Sequence, residues 1–142
     1  MGFLGKLFGG EKDLPALDPA SPGAKRIEAQ KAALEAFVAK LHDPVELIPA
    51  EKSIYAFIGR PPDRFGIAWF PGDGTEHNLK TLVKAKGLSV LQQNTLSSHL
   101  RKAYEKHVNE PRFSTTIGGK KVKVIPSAGL EDDLTKVIHE VA

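Results

Sequence analysis

The stretch from residue 54 to residue 70 constrains this chain more than any other. Two short apolar runs, 54–58 and 65–70, flank Gly59-Arg60-Pro61-Pro62-Asp63. Both runs are rich in aromatic and β-branched residues, which favour strands. Each proline fixes φ and offers no N–H to a ladder, so the break predicts a hairpin loop. In the second run Phe65, Ile67 and Trp69 alternate with Gly66, Ala68 and Phe70. Both sets are apolar or small. That predicts a strand covered on both faces, with Trp69 largely buried.

The chain before this hairpin divides at about residue 20. Phe3, Leu4, Leu7 and Phe8 surround Lys6, the pattern of one or two amphipathic turns. A helix this short is marginal in water, and one cation attracts anionic lipid weakly, so membrane contact through residues 1–10 is disfavoured. Residues 11–20 hold Pro15, Pro19 and three acidic residues. Residues 1–20 therefore read as a flexible segment and linker, dispensable for folding, before a single domain over 21–142. Ser21-Pro22 is an N-cap followed by proline at the first helical position. Ile27, Leu34, Phe37, Val38 and Leu41 then mark one face of a helix over 22–41, ended by Asp43-Pro44. Residues 45–48 are a short strand cut by Pro49.

After the hairpin, Pro71-Gly72-Asp73-Gly74-Thr75 predicts a turn and an Asp or Thr N-cap. It is no phosphate cradle, because the Gly-Lys-Ser/Thr ending is absent and Asp73 and Glu76 repel anions. A helix over 76–86 stops at Gly87. A second, over 89–108, carries the stripe Leu91, Leu96, Leu100, Ala103, Tyr104 and Val108. Residues 112–117 and 120–125 form a hairpin on Gly118-Gly119, a pair suited to the positive φ angles of a two-residue turn. That register opposes Ile117 to Lys120, Thr115 to Val122 and Phe113 to Val124. One face is then apolar. The other, with Arg112, Ser114, Thr116, Lys121, Lys123 and Ile125, is basic and hydroxylic. Leu130, Leu134, Val137, Ile138 and Val141 give a last helix. The expected fold is α+β, one antiparallel sheet of about five strands packed with about four helices.

Chemistry is harder to find. The chain has 142 residues, enough for one core, and no cysteine, which excludes disulfides and thiolate metal sites. A reducing cytoplasm is the expected location. His42, His77, His99, His107 and His139 show no metal-ligand spacing, and Ser89, Ser97, Ser98, Ser114 and Ser127 lie in no nucleophile elbow. No catalytic residue, metal or cofactor is expected. The charge is informative. Residues 77–125 hold ten Lys and Arg against Glu105 and Glu110, whereas 1–76 are net −2 and 126–142 net −3, within a total of +3. Such a basic block fits an anionic partner.

The expected function is binding of a protein or anionic partner by a basic face of Arg101, Lys102, Lys106, Arg112, Lys121 and Lys123. The alternative is a nucleic-acid-binding, winged-helix-like module over 82–125. There Leu82, Gly87 and the tract from Thr95 to Leu100 loosely resemble a helix-turn-helix, and the second hairpin is the wing.

Overall fold

The computed structural model describes residues 14–141. The amphipathic turns expected over 1–10 lie outside them. Five helices and one six-stranded sheet are built from these residues. In chain order they are α1 (Pro22–Ala29), α2 (Lys31–Ala39), β1 (Val45–Pro49), β2 (Ile54–Arg60), β3 (Arg64–Phe70), β4 (His77–Asn78), α3 (Leu79–Lys86), α4 (Val90–Lys106), β5 (Phe113–Ile117), β6 (Lys120–Val124) and α5 (Ala128–Val141).

The sheet order is β4-β3-β2-β1-β6-β5. The two predicted hairpins form with the expected polarity. In the second, Ile117 faces Lys120, Thr115 faces Val122 and Phe113 faces Val124, the register set by Gly118 and Gly119. The sheet is not purely antiparallel, however. β1 and β6 pair in parallel, Glu46 opposite Lys123 and Leu47 opposite Val124. This pair joins the two hairpins into one sheet. His77 and Asn78 add a short sixth strand against Trp69 and Ala68.

Helices cover both faces. Ile27, Leu34, Phe37 and Val38 of α1 and α2 pack on Leu47, Ala56, Phe70, Val122 and Val124. Leu96, Leu100 and Tyr104 of α4 and Leu134 and Ile138 of α5 pack on Ile48, Phe57, Ile67 and Ile125. Phe57 is fully buried and meets the Phe65 and Tyr104 rings edge-on at 5.4 and 5.2 Å. Burying such a ring contributes about 2–3 kcal/mol, and edge-to-face pairs add to that.

Several expectations change. The helix drawn over 22–41 breaks at Gln30, whose φ of −116° and ψ of 24° are not helical. Gln30 turns its amide onto the Phe70 carbonyl, 3.1 Å away, so contact with the sheet outweighs helical continuity. The cap of α3 is Asn78, in a capping box with Thr81, because 71–75 is spent on the turn. Val90, Leu91 and Val108 stand exposed, so the buried stripe of α4 is only Leu96, Leu100, Ala103 and Tyr104. Trp69 is half-buried: it lies near the β4 edge and stacks on His77 at 5.9 Å. The linker is partly docked as well. Leu17 N–H donates to the Ser114 carbonyl and Ser114 N–H to the Pro15 carbonyl, so residues 15–17 line the β5 edge. Among the described residues no helix is long and apolar enough to cross a membrane.

Candidate functional site: a cleft on the half-open face of the sheet

Side chains alternate along a strand, and partners across a ladder share a face. The registers therefore place Ser114, Lys123, Glu46 and Phe57 in one row across β5, β6, β1 and β2. On one side of that row Ile125, Ile48 and Tyr55 lie beneath α4 and α5. On the other side are Thr116, Lys121 and Gly59. Here the sheet face is open, and a cleft of about 520 Å³ forms. It is lined by Glu46, Tyr104, Ser114, Lys121, Lys123 and Arg60, with His42 and Lys120 among its other walls. Gly59 has a φ of +106°, and a Cβ there would lie 2.8 Å from the Arg64 carbonyl oxygen, so this wall requires glycine.

Glu46 is the least expected member. Its neighbours Val45, Leu47 and Ile48 make a buried strand, yet Glu46 itself is only 4% exposed. The Tyr104 hydroxyl donates to its Oε1 at 2.8 Å, and Arg112 Nε lies 3.8 Å from the same oxygen. Arg112 also donates to the Tyr104 hydroxyl at 3.1 Å and to the Val108 carbonyl at 2.6 Å. Burial, and then the charge on Glu46, push the Tyr104 phenol up to about 12. Tyr104 therefore stays a neutral donor at ordinary pH. No hydrogen bond from the described residues reaches Glu46 Oε2.

The six basic residues singled out in the sequence do not act alike. Lys121 and Lys123 line the cleft, and neither has an ion-pair partner among the described residues. Arg112 reaches the cleft from behind, through Glu46 and Tyr104. Arg101 is committed elsewhere: it donates to the Pro62 carbonyl at 2.7 Å and lies over the Phe65 ring. Lys106 is 3.4 Å from Asp133. Lys102 is exposed on α4 and does not line the cleft. The β5–β6 hairpin is no free-standing wing, because β6 is paired to β1 within the sheet. Arg60, His42, Tyr104 and Glu46 were not among the predicted site residues. A lone acid inside an apolar strand was the signal for Glu46.

Two other places gather polar side chains. His107 donates or accepts at both ring nitrogens, to Glu110 and to Asp133, each at 2.8 Å. Both nitrogens are occupied, so the ring has none left to act as a base on a substrate. The groove of about 330 Å³ between α1, α2 and β5 carries alternating charges, Lys25, Glu28, Lys31 and Glu35, and none of its polar side chains is buried. Among the described residues no group of three or more His, Asp or Glu is placed to hold a metal ion. No protein-family model, curated protein or solved structure matches the chain.

Proposed function

We propose that this domain acts by binding an anionic partner on the half-open face of the sheet, without a catalytic step. One observation carries the reading. Four Lys or Arg residues (Arg60, Lys120, Lys121 and Lys123) line the cleft against one acid, Glu46. Lys120 is partly engaged, since it donates to the Leu41 and Asp43 carbonyls. The rest project into a concave surface, where low-dielectric walls focus the field of like charges.

Nucleic acid is the second reading, and it rests on the same cations, with the sheet face rather than a wing as the contact. Fluorescence-polarisation titrations of an acidic peptide and of a short duplex, each at several salt concentrations, test both. Saturable, salt-sensitive binding of either probe is expected. Replacing Lys121 and Lys123 together by Gln should lower the log–log salt slope for the duplex by about two units, one per phosphate contact. Replacing Lys102 and Lys106 should leave it unchanged. If neither probe binds at about 10 µM protein and 50 mM salt, the face is only a solvated one.

A further inference from the structure

We infer that the cleft takes a small amphoteric acid, a molecule with one ammonium and two anionic groups. Its ammonium sits on Glu46 Oε2 and its anionic end between Lys121 and Lys123. This rests on the anion-binding reading above and adds a ligand class to it.

The first observation is the unfilled acceptor. Glu46 is more than nine-tenths buried yet lines the cleft. Its Oε1 is taken by Tyr104, while no donor among the described residues reaches Oε2. Among the described residues Gln30 Oε1 is the buried side-chain polar atom without a partner, so Glu46 Oε2 is open to the cleft, where a ligand's donor takes the place of water. A cationic N–H makes the strongest hydrogen bond to a carboxyl. Tyr104 cannot serve Oε2 as well, because its one O–H is already turned to Oε1.

The second observation is spacing and charge. Lys123 stands across the parallel ladder from Glu46, and Lys121 follows on the same face. Neighbouring strands are about 4.8 Å apart, and residues two apart on a strand about 6.6 Å, so one small molecule spans all three side chains. The lining cations outnumber the one acid by three, four against one. A ligand with a single carboxylate and a single ammonium leaves that whole excess unmatched, whereas a second anionic group offsets one unit of it. A cleft of about 520 Å³ also lies in the range of small-ligand sites.

The test uses the full chain with L-glutamate and O-phospho-L-serine as probes, followed by amide shifts in NMR spectra and by calorimetry. Both should bind saturably and move the signals of Ser114, Lys123 and Tyr104. N-acetyl-L-glutamate keeps both carboxylates and loses the ammonium, and it should bind at least about tenfold more weakly. Glu46→Gln should abolish that difference, and Lys123→Gln should weaken all three ligands. The wild-type comparison decides the matter even where Glu46→Gln does not fold. Equal binding of L-glutamate and its N-acetyl form overturns the role of Glu46. No binding of the amino acids at about 10 mM overturns the inference. If the acidic peptide or duplex still binds, the anion-binding face survives that loss; if they too fail, both readings fall together.

Discussion

His107 shows how much one side chain outside the cleft can contribute. It lies at the end of α4, its ring bonded to Glu110 and to Asp133 of α5, with Lys106 3.4 Å from the same Asp133 oxygen. The fit is close: a Cβ on Gly129 would come within 2.6 Å of the ring. Burial opposes the charged ring, but the hydrogen bonds to Asp133 and Glu110 outweigh it, and the pKa is raised above 6.5. The bond to His107 in turn holds both carboxyls below their ordinary values. A raised histidine stabilises the fold fully below its unfolded pKa, and that contribution is lost as pH rises through the folded value. Depressed carboxyls stabilise it above their unfolded values and lose that on acidification. The clamp is therefore strongest between the ordinary carboxyl range and about pH 6.5. Thermal midpoints measured from pH 4 to pH 9 should fall on the alkaline side in the wild type. In His107→Gln the curve should be flatter there. Parallel curves for the two proteins would show that the clamp carries no pH-dependent stability.

At the level of elements, local chemistry was legible and long-range pairing was not. Gly118-Gly119 dictates its own turn, so the β5–β6 register could be read directly, and with it the basic, hydroxylic face of Ser114, Thr116, Lys121 and Lys123. Gly87 was equally readable: it caps α3 at a φ of +62°. A Cβ there meets nothing within 4 Å, so Gly87→Ala costs only the left-handed backbone, about 1 kcal/mol. A fall of roughly 2–5 °C in the thermal midpoint is expected, on the usual entropy of unfolding for this size. An unchanged midpoint would mean that α3 ends in another way. The break at Gln30 was hidden, because Ile27, Leu34 and Phe37 keep a helical period across it and only the distant Phe70 carbonyl reveals it. The cleft was half-hidden for a similar reason. Lys121 and Lys123 were readable from alternation, but Glu46 meets Lys123 only because β1 pairs with β6, some 77 positions along the chain. Arg101 and Lys106 looked like part of the same face, since nothing local shows that a turn and a neighbouring helix claim them.

For the whole molecule the decisive feature is how the sheet ends. Its β4 edge is only two residues long, which leaves little to pair with. The β5 edge is five residues long and carries Phe113 and Ile117 beside its outward backbone groups. There the preceding chain provides the cover, with both Ser114 backbone groups bonded to Pro15 and Leu17 and the Leu17 side chain packed on the α1–α2 core. The acidic, proline-bearing composition of residues 11–20 gave no hint of this, since backbone pairing needs no particular side chain. Two shortened chains make the point testable, one starting at Leu14 and one at Ser21. The first keeps the cover. The second exposes two backbone groups and an apolar site, so its thermal midpoint should be lower by several degrees, on the scale of about 1–2 kcal/mol. An open edge of this length is also a template for another chain. The chain from Ser21 should therefore self-associate as its concentration rises, seen as a larger sedimentation coefficient, while the chain from Leu14 should not. Equal midpoints and equal sedimentation would show that the linker is dispensable after all and that β5 is protected by its own threonines and short length.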